Sequence, residues 1–385
     1  MKIALVHIRH KGTGGTERYL NLLAAHLAEA GHEVTIVCRS HEDAPHPAVR
    51  FHVLRRAVVG GAWRAWAFAK DVEAHVARSA YDVVYALGRT WSHDLIRLGG
   101  GCHASYLELA HDKTLRPWEL GGRRLKNSVT LRIECKALAP GAYQTVVTNS
   151  ELVKRDVMRR FAVPEERIEV LYNGVDLERF RPGRSVERAT IRAEAGIDKE
   201  ARVALFLGTG YARKGLDRAL RAMVTIAREA PDVTLLVVGY DGQRSRWEAE
   251  SRELGIAGQV RFLGGRRDAE ACFAAGDVYV LPTRYDPFAN STLEALASGL
   301  PVITTRTNGG SEIVRPDQGS VIENDDDPSE LTAALRGWLA PGVADEARAA
   351  CRTLAEGYSA ERQMQRSAEL CEAARAAKAR GAQRP

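Results

Sequence analysis

Val203-Ala204-Leu205-Phe206-Leu207 is an apolar run that stops at Gly208-Thr209-Gly210-Tyr211-Ala212-Arg213-Lys214-Gly215. Five consecutive apolar residues closed by glycine read as a strand buried on both faces, the kind found in parallel sheets. Short runs of the same type recur near 233–238, 259–263, 277–281 and 301–304, with helical patterns between them. The region before Val203 repeats the theme. A strand over 2–7 leads through a glycine-rich loop at 12–15 into a helix over 16–30, whose apolar stripe is Leu20, Leu23, Leu27 and Ala30 and whose stop is Gly31. Val34–Val37, Asp82–Tyr85 and Thr145–Thr148 read as further strands, 62–79 as a helix, and Ser150 as the cap of the helix after Thr148. Strands alternating with helices predict an α/β chain with parallel sheets. The pattern lapses over 173–200, where Asn173-Gly174 and Pro182-Gly183 mark an interdomain connection followed by an entry helix. The expectation is two doubly wound halves facing a cleft, with a shared site at the carboxyl ends of their strands.

The chain has 385 residues, which at about 150 per domain suits two domains. Hydrophobic residues make up 45% and charged residues 27%, an ordinary globular balance. The net charge of +6 suits an anionic ligand or membrane surface and is too mild for a nucleic-acid signature. No apolar run is long enough to span a bilayer. Met1 through His7 turns polar too soon for a signal peptide, so a cytoplasmic chain is expected. The six cysteines show neither C-x-x-C pairs nor zinc spacing, and neither disulfides nor a structural metal are expected.

Three motifs carry chemistry. Gly12-Thr13-Gly14-Gly15 places glycines where backbone amides can approach a phosphate, or where a plain tight turn is needed. Glu17 replaces the third glycine of a dinucleotide fingerprint, and no acid follows the second strand, which argues against NAD; Arg39 leaves an NADP reading open. In the second motif, Gly210 and Gly215 have P-loop spacing, but Leu216 stands where the lysine belongs. What remains is a glycine loop with two cations, Arg213 and Lys214, at a helix start, which suits a diphosphate. The third is Tyr285-Asp286-Pro287-Phe288-Ala289-Asn290-Ser291-Thr292-Leu293-Glu294. Asn290, Ser291 or Thr292 can cap a helix that carries Glu294 about one turn in, with Asp286 in the loop before it. Buried carboxylates at strand ends need partners, and sugar or ribose hydroxyls supply them.

Together these residues resemble the retaining glycosyltransferases of family 4, with their GT-B fold, and in particular the lipopolysaccharide core glucosyltransferases. Thr148-Asn149-Ser150-Glu151, Tyr172-Asn173-Gly174-Val175-Asp176, Gly208 through Asp217 and Asp286 through Val302 carry the likeness. The resemblance implies a Rossmann-like acceptor domain over 1–175, joined by a C-terminal helix at about 361–380 that crosses back to it. A Rossmann-like donor domain over 184–360 would bind a nucleotide sugar, by family habit a UDP-sugar, for transfer to a glycan or lipid-linked acceptor. Arg213 and Lys214 would hold the diphosphate beside Gly208, and Gly14 and Gly15 would close over it. Glu294 would bind the ribose, and Asp286 the transferred sugar. Phe288, Ala289, Asn290 and Ser291 would offer backbone amides, and Arg266, in Gly264–Arg267, would border the base. Asp286 departs from the family's usual glutamate, and Thr209 from an arginine found in many members.

His103, after Gly99-Gly100-Gly101-Cys102, is the candidate group near the reacting carbon, or else a structural histidine; His111-Asp112 is a second candidate. Asp325-Asp326-Asp327 contains D-x-D but precedes Pro328-Ser329-Glu330, which reads as an acidic helix start, so catalysis without a metal is expected. Over 113–136, Lys113, Arg116, Arg123, Arg124, Lys126, Arg132 and Lys136 interleave with Trp118, Leu120, Leu125 and Val129, a pattern that suits an anionic membrane surface as well as a solvated helix face. Two other function classes stay open on the residues alone: an NADP-dependent oxidoreductase, and a non-catalytic nucleotide-sugar-binding protein.

Overall fold

The structure is a computed structural model that describes residues 1–12, 14–109, 119–323 and 325–382. The chain forms two compact units. Met1–Tyr172 combines with the segment from Glu361 onward, and Asn173–Ala360 forms the other. The break therefore falls just before Asn173-Gly174, and the whole of 173–183 belongs to the second unit. The cause is local pairing: Val175 N donates to Tyr358 O and Ala360 N donates to Val175 O, both at 2.9 Å.

The first unit is a seven-stranded sheet: β1 (Lys2–Val6), β2 (Glu33–Cys38), β3 (Arg50–Val53), β4 (Val83–Ala86), β5 (Leu95–Arg97), β6 (Thr145–Thr148) and β7 (Ile168–Val170). The order is β3-β2-β1-β4-β5-β6-β7, and every neighbouring pair is parallel. Helices cover a parallel sheet on both faces, so its central strands must be apolar throughout; Ile3, Ala4, Leu5 and Val6 have no exposed surface. The C-terminal helix Ala360–Ala382 places Met364, Leu370, Cys371 and Ala374 in this core, with Ser367 Oγ 2.7 Å from the Tyr19 hydroxyl. Gly357-Tyr358-Ser359 separates this helix from the preceding one, Val343–Glu356.

The second unit holds β8 (Arg202–Leu207), β9 (Val233–Val238), β10 (Val260–Gly264), β11 (Val278–Leu281), β12 (Val302–Thr305) and β13 (Gly319–Ile322). Its order is β10-β9-β8-β11-β12-β13, again all parallel. The helix Leu216–Glu229 packs Leu216, Ala219, Leu220, Met223 and Ile226 inward at three- and four-residue spacing. Each sheet reverses its winding beside its first strand, between β1 and β4 and between β8 and β11. Ligands bind such sheets at that switch, beyond the carboxyl ends. The loops after β8 and β11, residues 208–215 and 282–289, carry the second and third sequence motifs. No described helix is long and apolar enough to cross a membrane.

Candidate functional site

β8 ends at Leu207, and Gly208-Thr209-Gly210 turns the chain into a single helical turn, Tyr211–Lys214. Two of the backbone amides at the turn already have acceptors. Tyr211 N donates to Asp241 Oδ2 at 2.7 Å, and Gly210 N to Tyr240 O at 3.3 Å. The charge at this turn belongs to its side chains. Lys214 folds back over Gly208, where a Cβ would sit 3.3 Å from Lys214 Cγ.

β11 delivers the facing loop. Thr283 Oγ1 and Arg284 N both donate to the Arg213 carbonyl, at 3.0 and 2.9 Å, and Arg213 NH1 donates back to Tyr285 O at 3.0 Å. The two motifs, some 70 residues apart in sequence, are thus stitched together by adjacent strands. Arg213 NH1 and Lys214 Nζ converge on one oxygen, Asp286 Oδ2, each at 2.7 Å. Burial alone would raise the Asp286 carboxyl, but Lys214 and Arg213 outweigh it and hold the group below the ordinary aspartate range. Lys214 is pushed down by burial, with Asp286 opposing and Arg213 adding to the fall; Glu294 stands close enough to raise it again. This is a largely buried ion cluster, fixed because separating its members would strand a charge.

The helix Asn290–Ala297 carries half-buried Glu294. Its N-cap is Ala289, which has no capping side chain, so none of Asn290, Ser291 or Thr292 caps it as expected. Asn308 supplies the bond from the loop after β12, a residue that sequence reasoning passed over. Its Oδ1 accepts from Ala289 N and Gly310 N, both at 3.0 Å, while its Nδ2 donates to Thr292 Oγ1 and Thr304 Oγ1 at 2.9 and 3.0 Å. All four capacities of a fully buried amide are met. The Ala289 amide is accordingly not open to a ligand. Asp286 is pinned from the same loop: its N donates to Thr307 O and its carbonyl accepts from Gly309 N. The signal in the sequence was Asn308-Gly309-Gly310 shortly after a strand.

Asn290 Oδ1 accepts from Asn173 Nδ2 at 2.6 Å. The Tyr279 hydroxyl bridges the Leu207 carbonyl and Ser291 Oγ, at 3.0 and 2.6 Å. Phe288 is buried beside them in sequence, at 4% exposure. Arg213, Lys214, Asp286, Glu294, Gly208 and Ser291 therefore gather around the ends of β8 and β11. Arg266 is engaged elsewhere, with Glu194 and Asp268 at 2.5 and 2.7 Å. In the D-x-D stretch, Asp326 accepts from Arg218 at 3.0 Å, and Asp327 accepts from Ser329 N and Oγ at a helix start.

In the first unit, Gly14 is the N-cap of the helix Gly15–Glu29. The Glu17 carboxylate folds back against it, so that a Cβ on Gly14 would lie 2.2 Å from Glu17 Oε2. The helix start that suited a phosphate is thus occupied by the chain's own acid. His103 begins the helix His103–Leu109, and its Nε2 lies 3.1 Å from Asn127 Oδ1. With that oxygen accepting, the ring proton is on Nε2 and the lone pair on Nδ1. Burial, then Arg89, lower its proton affinity. Arg39, which had kept an NADP reading open, pairs with Asp71 at 3.0 Å. Thr13, His111-Asp112, Lys113, Arg116 and Trp118 lie outside the described residues, as do the side chains of Leu120 and Arg123. Arg124, Leu125, Lys126, Arg132 and Lys136 are exposed, but Val129 is buried and belongs to the core, not to a surface stripe.

Two family models match the chain. Residues 13–179 match the model of Glycosyltransferase Family 4, and residues 187–356 match that of Glycosyl transferases group 1. The lipopolysaccharide glucosyltransferase WaaG of Escherichia coli is 25% identical over 343 residues, 88% of this chain and 90% of WaaG. A WaaG crystal structure superposes with a TM-score of 0.80 at 22% identity, covering 96% of this chain and 99% of that one. HepE of Anabaena, crystallised with UDP-glucose, superposes with a TM-score of 0.66 at 18% identity, covering 97% and 100%. The chain belongs to the family 4 glycosyltransferases and has their GT-B fold.

Proposed function

We propose that the chain moves a sugar from a nucleotide-diphospho-sugar, with UDP as its nucleotide, to a glycan or lipid-linked acceptor, with retention of configuration. The convergence of Arg213 and Lys214 on Asp286 carries the proposal. Two cations held at the carboxyl edge of a parallel sheet are placed to bind a diphosphate and to neutralise it as it leaves. Asp286 and Glu294 offer acceptors to the hydroxyls of the sugar and the ribose. The acceptor attacks from the face the diphosphate leaves, and a departing phosphate oxygen takes the acceptor's proton. His103 Nδ1 is a second place for that proton. Much of the rate then comes from positioning and from charge, and the two side-chain cations do this without a metal. WaaG, by its name, glucosylates lipopolysaccharide, and HepE was crystallised with UDP-glucose. By likeness we assign this chain to a lipopolysaccharide core or another cell-surface glycan. Its work would be done at the cytoplasmic face, with the basic side chains Arg124, Lys126 and Arg132 against anionic lipid.

A thermal-shift screen of UDP-, GDP- and ADP-sugars, with and without EDTA, tests the donor assignment. UDP-sugars are expected to stabilise the protein in both conditions. Stabilisation by none of the three, or by a sugar nucleotide only when metal is present, contradicts it. Flotation with anionic vesicles at low salt tests the surface, and no bound protein would remove it.

A further inference from the structure

The turn that carries Arg213 and Lys214 is only four residues long, Tyr211–Lys214, and cannot hold its own shape. Something outside it must fix where the two cations point. The backbone bonds from Thr283 and Arg284 to the Arg213 carbonyl hold one end. The other end is held by a side chain that no sequence motif singled out. Arg284 NH1 donates to the Ala212 carbonyl at 2.7 Å and to Asp217 Oδ1 at 2.8 Å, while NH2 donates to Asp217 Oδ2 at 2.8 Å. Asp217 lies in the first turn of the helix Leu216–Glu229, immediately after the cation turn. The flat guanidinium thus spans the junction, gripping the carbonyl before Arg213 and the carboxylate after Lys214. Only arginine offers a fork that meets both oxygens of a carboxylate and a third acceptor together.

We infer that Arg284 is a positioning residue for donor binding: through Ala212 and Asp217 it sets the geometry in which Arg213 and Lys214 meet the diphosphate. This rests on the proposed role of those two cations. Arg284 NH2 also reaches Asp326 Oδ1 at 3.2 Å. Asp326 is exposed and accepts from Arg218, Arg221 and Arg284, none of these bonds reaching Ala212 or Asp217, so it serves as the control within the same charge network.

The test is isothermal titration with inorganic pyrophosphate, and separately with UDP, on the wild-type chain and on Arg284→Met, Arg284→Lys, Asp217→Asn, Asp326→Ala and Lys214→Ala, with melting temperatures alongside. Arg284→Met and Asp217→Asn are expected to weaken pyrophosphate by about tenfold or more at temperatures where each is folded, because misplacing a binding group by about 1 Å is costly. Arg284→Lys keeps the charge and loses the fork, and is expected to fall between Met and wild type; it decides the matter if Arg284→Met does not fold. Asp326→Ala is expected to stay within about twofold of wild type, since its carboxylate meets Arg218 and Arg284 but leaves the Arg284 grip on Ala212 and Asp217 in place. Folded Arg284→Met or Arg284→Lys binding pyrophosphate as the wild type does would overturn the inference. So would Asp326→Ala losing as much affinity as Arg284→Met, which would mark a merely structural network. Failure of the underlying donor reading has a different signature: Lys214→Ala itself binds pyrophosphate and UDP unchanged, and the brace then has nothing to position.

Discussion

Lys214 Nζ lies 2.7 Å from Asp286 Oδ2, and the two residues are 7% and 8% exposed. The ammonium and carboxylate neutralise each other away from water, and Arg213 completes the set. Removing Lys214 leaves the carboxylate with one partner that is more exposed, Arg213. Lys214→Ala is therefore expected to cost about 3 kcal/mol of stability, much of it returned when Asp286 is also replaced by alanine. Chemical denaturation of both single variants and the double variant reads this. Sugar transfer is expected to fall by about 10²-fold or more in Lys214→Ala, further than in His103→Ala, because leaving-group charge weighs more than the acceptor's base. Steady-state turnover of the two variants ranks them.

Asp286 occupies in the free protein the charge that a diphosphate would meet. Asp286→Asn keeps the shape and frees both cations. Its affinity for inorganic pyrophosphate is expected to rise by about tenfold while sugar transfer falls, since a like charge beside the anion is gone and a hydroxyl acceptor with it. Titration calorimetry and a transfer assay on the same preparation read the two effects in opposite directions. Unchanged pyrophosphate affinity would mean that Asp286 does not compete with the ligand.

Asn308 makes four buried hydrogen bonds, to Ala289 N, Gly310 N, Thr292 Oγ1 and Thr304 Oγ1. Asn308→Ala strands the Ala289 and Gly310 amides, and a loss of about 3 kcal/mol is expected. Urea denaturation gives the value. Donor affinity is expected to weaken with it, because the same side chain holds the entry to the helix that bears Glu294.

Gly215 has φ +82°, and a Cβ there would stand 2.0 Å from the Pro282 carbonyl oxygen. Gly215→Ala carries both a left-handed backbone penalty and a clash with the neighbouring strand end. A loss of at least about 2 kcal/mol is expected, with weaker pyrophosphate binding as the cation turn shifts. Melting temperature and titration together test it.

Burial pushes the His93 imidazole down to about 4 from its ordinary 6.5, slightly offset by the Ala137 backbone. The native state thus binds this proton less well than the unfolded chain. Its contribution to stability is complete above pH 6.5 and is lost as pH falls from 6.5 toward 4, by about 3 kcal/mol at most. His7 and His103, also lowered chiefly by burial, act in the same direction. Urea midpoints between pH 7 and 4.5 should fall steeply in the wild type and less steeply in His93→Leu.

The strands of both sheet centres were legible because each holds a continuous apolar run, as in Val203–Leu207 and Leu235–Val238. The strands that escaped, β3, β5, β7 and β13, are three or four residues long and carry Arg50, Arg97, Glu169 or Ser320 within them. At this length periodicity says nothing. In the site, Arg213, Lys214, Asp286 and Glu294 could be picked out by residue type and spacing. Their mutual contact could not, since it depends on β8 lying next to β11 in the sheet. The same holds for Asn308 and Arg284. Each acts across the strand order rather than along the chain, and neither sits in a motif whose chemistry announces itself.

A crystal soaked with the nucleotide sugar that most stabilises the protein tests the central claim most directly. The account predicts diphosphate oxygens within about 3 Å of Arg213 and Lys214, with sugar and ribose hydroxyls on Asp286 and Glu294. A donor bound with its phosphates away from both cations, and with the Lys214–Asp286 pair undisturbed, would contradict it.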